Sequence, residues 1–240
     1  PTPFNASITP HRRFAFRSVP LSDVKQLKNA LGCTVNDIVM SVCAGALRQY
    51  LLDHEALPED PLVAGIPVSI RTGAEEDPWT NRLSTIFAKL PTDCDDPLER
   101  VRLMSQAMDD AKGSFDLLPA DLLLQVSELI PTGLATRATR LAARFRLADR
   151  VNLPFNLIIS NVPGSREPLY MGGARLKNYY PVSTVIDGQG LNITVQSYVD
   201  TLDFGLVSSR ELVPDLWHLL DLCIAELDTL SVAAGVVRGE

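Results

Sequence analysis

Ser160 and Asn161 close the apolar run Asn156-Leu157-Ile158-Ile159 and stand just before Val162 and the Pro163-Gly164 break. A strand that stops on a hydroxyl and a carboxamide puts two hydrogen-bonding side chains at the mouth of a sheet, which reads as the edge of a site. Such groups shape and orient; moving a proton near neutral pH calls for another kind of side chain, most often histidine. His11, His54 and His218 are widely separated. His54 sits beside Glu55 at a helix end and reads as a surface residue. His218 adjoins Trp217 in the last helix and reads as capped or partly exposed, and His11 precedes Arg12-Arg13. No G-x-S-x-G nucleophile elbow occurs, which weighs against a self-contained serine hydrolase. Cys33, Cys43, Cys94 and Cys223 lack C-x-x-C or C-x-x-H spacing, so no metal site is expected and the four read as reduced core thiols.

The elements that must carry these residues follow from periodicity. Residues 13–17 alternate and run extended to Pro20. A helix is expected from about Leu21, with Ser22 and Asp23 near its start and Gly32 beyond its end. Thr34 and Asp37 form a variant capping box for the next helix, whose buried face is marked by Ile38, Val42, Ala46, Leu47 and Leu51. Residues 62–70 read as a buried strand, 72–82 as an exposed acidic loop and 84–90 as another strand. A long helix starts at Asp96-Pro97 and runs to about Lys112. Residues 120–149 are helical in pattern with a break at 131–133, and Arg137, Arg140 and Arg144 flank an apolar stripe in the second piece. Residues 155–210 hold four or five strands, including the alternation Leu191-Asn192-Ile193-Thr194-Val195. A final helix after Pro214 carries Leu216, Leu219, Leu220, Cys223 and Leu227 inward. The pattern is helix-rich α/β (α+β), without the G-x-G-x-x-G or G-K-S/T signature of a nucleotide fold.

Length and charge narrow the function classes. A chain of 240 residues buries a substantial core in one or two domains. Its net charge of −7 disfavours nucleic acid as a partner, although residues 129–150 hold five arginines against Asp149 alone. No apolar run approaches the roughly 18–20 residues of a membrane span. No basic-then-apolar leader opens the chain, so a cytoplasmic setting is expected, and Pro1 in place of methionine suggests an internal start.

Four phrases then carry a resemblance. They are Thr34-Val35-Asn36-Asp37 with Ala44-Gly45-Ala46-Leu47-Arg48, and Pro67-Val68-Ser69-Ile70-Arg71. Ser160-Asn161-Val162-Pro163-Gly164 follows, then Pro181-Val182-Ser183 with Gly188-Gln189-Gly190-Leu191-Asn192-Ile193. Their order and spacing resemble the C-terminal half of bacterial wax ester synthase/acyl-CoA:diacylglycerol acyltransferases, across nearly the whole chain. The resemblance implies a sandwich like chloramphenicol acetyltransferase and peptide-synthetase condensation domains, here the C-terminal domain of a two-domain enzyme. In that family a His-His-x-x-x-Asp-Gly motif in the N-terminal half supplies the general base. This sequence has no such motif, so the base is expected on a segment or chain other than this one. Pro163-Gly164-Ser165 stands where the family usually reads Pro-Gly-Pro, and Thr80-Asn81 where it reads Gly-Asn.

On this resemblance the chain is an acyl-CoA-dependent O-acyltransferase of neutral lipid synthesis, acting on diacylglycerol or a long-chain alcohol. No permanently bound cofactor is implied; acyl-CoA is the co-substrate. Partners would be the N-terminal half of the same enzyme and a membrane or lipid-droplet surface, with no nucleic acid. Residues 1–20 would be an incoming linker or strand, 21–231 the C-terminal acyltransferase domain and 232–240 a frayed tail. The family's Asn-Asp pair falls on Asn36 and Asp37, with Asp37 closing a helix cap and Asn36 fixing a neighbouring loop as the architectural alternative. Ser160, Asn161, Pro163 and Gly164 would shape the acyl or cofactor channel, and Ser183 lies in the last phrase. Gln189 and Asn192 suit a channel or a sheet edge, and Arg71 a coenzyme A phosphate or an ion pair with the acidic loop. The arginine-flanked helix suits anionic lipid or plain packing. Two rival functions remain at this level: a non-catalytic lipid-binding scaffold, and a condensation-type domain acting on carrier-bound substrates.

Overall fold

A computed structural model describes residues 2–69, 83–115 and 153–237. Arg71, the acidic loop 72–82 and the helical pattern with Arg137, Arg140 and Arg144 lie outside the described residues. Among those described, eight strands and four helices alternate along the chain. The chain opens with β1 (Arg12–Pro20), α1 (Leu21–Leu31), α2 (Val35–Asp53), β2 (Leu62–Ser69), β3 (Leu83–Leu90) and α3 (Pro97–Phe115). It continues with β4 (Leu157–Val162), β5 (Tyr170–Met171), β6 (Ala174–Arg175), β7 (Leu191–Tyr198), β8 (Thr201–Ser209) and α4 (Leu216–Ala233).

Six strands form one mixed sheet in the order β1-β8-β7-β4-β2-β3. β4 lies at its centre and runs parallel to both neighbours, with Ala64 opposite Leu157 on one side and Ser160 opposite Thr194 on the other. The outer pairs are antiparallel. β1 is therefore an integral strand, paired with β8 from Arg12–Ser209 to Pro20–Thr201, and Phe4 ahead of it is fully buried. Asn5 and Asn156 stitch this N-terminal stretch to the sheet. The Asn5 carboxamide donates to the carbonyls of Asn156 and Gly188 at 2.8 and 2.9 Å, while the Asn156 carboxamide oxygen accepts from Val63 N at 2.8 Å.

Helix α2 packs against α1, α3 and α4. The sequence expects one buried face on it, but every residue from Asp37 to Leu47 is buried. Val39, Met40, Cys43 and Ala44 complete a helix that is apolar nearly all round, and such a helix belongs inside a molecule. Its start is a full capping box: Thr34 Oγ1 accepts from Asp37 N at 3.1 Å and Asp37 Oδ2 accepts from Thr34 N at 2.9 Å. α4 buries Leu216, Leu219, Leu220, Cys223 and Leu227, as its spacing predicts, and runs on to Ala233. All four cysteines are free; Cys43 and Cys223 are buried, Cys33 and Cys94 half-buried. No single helix among the described residues is long and apolar enough to cross a bilayer.

Candidate functional site

The carboxyl end of β4 opens onto a groove of about 740 Å³, a size suited to a small-molecule site. In open sheets the crevice beyond the carboxyl ends of parallel strands, where neighbouring connections diverge, is a favoured place for ligands. Here β4 feeds the turn 163–166, α2 presents its first turn, and the β7–β8 turn and the start of α1 close the remaining walls.

Local chemistry fixes each wall. Asn161 Nδ2 donates to Asn36 Oδ1 at 3.2 Å, joining the end of β4 to the first turn of α2. Asn161 thus faces the helical layer, and by strand alternation Ser160 faces the other side of the sheet, opposite Thr194. Gly164 N donates to Ser197 Oγ at 3.1 Å. A Cβ at Gly164 would stand 1.9 Å from the Ser197 carbonyl oxygen, so only glycine permits this approach. Val199 N donates to the Ser165 carbonyl at 2.9 Å, and Leu21 N to the Asp200 carbonyl at 2.9 Å. The turn after β4 and the start of α1 are therefore pinned to the same β7–β8 turn.

Four of the expected site residues, Asn36, Asn161, Pro163 and Gly164, meet in the groove. Asp37 lies behind it, buried, with its carboxylate spent on the cap and on Ser105 Oγ at 3.3 Å. Ser183, Gln189 and Asn192 are elsewhere. Gln189 is buried and its Nε2 donates to the Leu191 carbonyl at 2.5 Å. Asn192 is buried and accepts from Thr194 Oγ1 at 2.9 Å on β7, an interior strand, so of the two expectations for it, a channel or a sheet edge, the edge does not hold. Ser183 is half-buried in the stretch that lays the Pro181 carbonyl against Gly205 of β8. Arg71 falls outside the described residues. The groove also contains Thr34, which the sequence marks as a helix cap, and residues that sequence reasoning passed over: Lys25, Ser197 and Arg166. Arg166 was signalled by its place two residues after Gly164; Lys25 and Ser197 had no local signal.

Among the described residues that line the groove there is no histidine, carboxylate or cysteine. Carboxamides, hydroxyls and two cations bind and orient. They offer no group to take a proton near neutral pH. The histidines stand at the far ends of the elements. α2 separates Asn36 from His54 by about 27 Å at ~1.5 Å per residue, and β1 sets His11 about 33 Å from Leu21 at ~3.3 Å per residue. His54 pairs with Asp215 at 3.2 Å, His218 with Asp53 at 2.9 Å and His11 with Glu211 at 3.1 Å. Cys33, close to the cap, has its thiol pushed up by burial and by the Asp37 carboxylate, so it is not an activated nucleophile.

Comparison with known proteins follows the same lines. The WS/DGAT C-terminal domain family model matches residues 79–231, and the wax ester synthase/diacylglycerol acyltransferase catalytic domain model matches residues 1–39. The chain is 40% identical over 218 residues to O-acyltransferase WSD of Acinetobacter baylyi, covering 90% of this chain and 45% of that protein. A Mycobacterium tuberculosis protein provisionally named a diacylglycerol O-acyltransferase is 42% identical over 237 residues, covering 98% and 51%. The solved wax ester synthase/diacylglycerol acyltransferase of Marinobacter aquaeolei VT8 superposes with a TM-score of 0.78 at 36% identity, covering 98% of this chain and 52% of that one. A nonribosomal peptide synthetase superposes at 0.62 with 12% identity, which shows a shared fold alone. The chain spans about half the length of the curated relatives it matches.

Proposed function

Because the chain belongs to the wax ester synthase/diacylglycerol acyltransferase family, we propose that it is the C-terminal part of an acyl-CoA-dependent O-acyltransferase. The product would be triacylglycerol or wax ester, made from diacylglycerol or a long-chain alcohol. One observation carries the reading. The groove gathers Asn36, Asn161, Pro163 and Gly164 into a binding wall, and the described residues lining it include no group to act as base. Such a wall supports the placing of a substrate whose chemistry is completed by another part of the enzyme.

In this mechanism a histidine of the N-terminal half removes the acceptor's hydroxyl proton. The alcohol oxygen attacks the thioester carbonyl and the carbon–sulfur bond breaks. Coenzyme A leaves as the thiol after receiving that proton, so no acyl-enzyme is required. This chain contributes orientation: a reacting pair held in register gains rate without any new covalent chemistry. Acceptors of this kind partition into lipid, which favours a peripheral position at the inner membrane or a lipid-droplet surface.

The test is reconstitution. The chain combined with its N-terminal half, supplied with labelled acyl-CoA and either diacylglycerol or a long-chain alcohol, is expected to form labelled ester. A folded complex that makes no ester with any acceptor overturns the proposal.

A further inference from the structure

The groove has a sign. This chain carries 22 Lys and Arg against 29 Asp and Glu, yet the described residues lining the groove include two cations and no carboxylate. Lys25 projects from α1 and Arg166 from the turn after Gly164; both are exposed, and among the described residues neither sits in an ion pair. Their placement is constrained. Leu21 N, one turn before Lys25, is bonded to the Asp200 carbonyl, and the Ser165 carbonyl, one residue before Arg166, accepts from Val199 N. Glu167 N further holds this turn by donating to Ser165 Oγ at 3.2 Å. The two cations therefore hang from the two sides of one β-turn and face one opening.

The first turn of α2 does not explain this charge. Asp37 N is already met by Thr34 Oγ1, and the Asp37 carboxylate, accepting from Thr34 N, sets a negative charge at this end of the helix that offsets its dipole. What an anion meets here is Lys25 and Arg166. The rest of the lining differs in character: Thr34, Asn36 and Asn161 offer hydrogen bonds, and Leu21, Val35 and Leu202 offer apolar surface.

We propose that Lys25 and Arg166 form the entrance subsite for the phosphate-bearing nucleotide end of the acyl thioester, with the amide-containing arm running past Asn36 and Asn161. This inference rests on the acyltransferase reading and sharpens it. The enzyme would recognise its donor by its phosphates and would discriminate against an acyl thioester of the same arm without them. Guanidinium and ammonium groups suit phosphate, and their effect in such an open groove falls with added salt.

Two measurements test it. In calorimetry, free coenzyme A is titrated into this chain and into the charge-reversed K25E/R166E variant, with K25Q/R166Q as a milder second. The expected result is binding weakened tenfold or more in the reversed variant, less in the neutral one, and a salt dependence lost with the charges. Absence of coenzyme A binding by the unaltered chain, or equal affinity in all three, overturns the subsite. In the reconstituted enzyme the KM for acyl-CoA should rise tenfold or more in K25E/R166E, while kcat and the KM for acyl-pantetheine stay unchanged. Ester formation with an unchanged acyl-CoA KM overturns the subsite and leaves O-acyl transfer standing. Coenzyme A bound through Lys25 and Arg166 without ester from any donor overturns the acyltransferase reading and leaves the subsite standing.

Discussion

At the scale of single residues, Asn36 and Asp37 are neighbours with separate work. Asp37 closes the capping box and accepts from Ser105, whereas Asn36 reaches across to Asn161. Asp37→Ala should therefore cost about 1–2 kcal/mol of stability, read as a shift of the urea midpoint with the slope unchanged. Asn36→Ala and Asn161→Ala should each leave stability within about 1 kcal/mol but lower reconstituted activity, and the double variant should lose no more activity than either single. Full additivity in that cycle would mean the two carboxamides act independently. The cap was legible in the sequence because Thr34 and Asp37 lie three residues apart and report on themselves. The Asn36–Asn161 bond spans 125 residues, and no local pattern announces it. The polar alternation of β7 was legible but its meaning was not, because Asn192 and Thr194 satisfy each other inside the sheet.

At the scale of elements, α3 is tied to α4 over the back of α2. Arg100 donates to the Cys94 carbonyl at 2.6 Å and to Glu226 Oε1 at 2.7 Å, and the side chains of Arg100 and Glu226 are both nearly buried. The Glu226 carboxylate lies against Gly45, where a Cβ would meet its Cδ at 2.3 Å. Arg100→Met strands a buried carboxylate and should cost about 3–5 kcal/mol, while Arg100→Met with Glu226→Leu should recover most of that loss in denaturant titrations. Burial raises the Glu226 carboxyl above its ordinary 4.5, outweighing the Arg100 charge that pulls it down. Above pH 4.5 the folded state then holds more of this proton than the unfolded chain, so its contribution to stability declines as pH rises through the folded value. Glu226→Gln should flatten that decline relative to the unaltered chain. Glu211, held down to about 2 chiefly by the Thr9 hydroxyl, acts in the opposite sense at lower pH, and the comparison between variants separates the two.

At the scale of the whole molecule, the sheet binds together what the family models divide. β1 and α1 fall in the stretch matched by the catalytic-domain model, while β4, β7 and β8 fall in the stretch matched by the C-terminal one. β1 covers β8 along its whole length, so removing residues 1–20 should expose a nine-residue edge strand and raise the aggregated fraction relative to the unaltered chain on size-exclusion chromatography. The helices and strands were largely readable from period and caps, because those signals are local. The strand order was not, since β4 joins partners from distant parts of the chain. The groove inherits this division: Lys25 and Asn36 come from the first 39 residues, Asn161 and Arg166 from the later stretch. For anyone recombining two relatives into a hybrid, a crossover between residues 39 and 79 would give the groove one wall from each parent, whereas a crossover ahead of Phe4 would transplant both walls together.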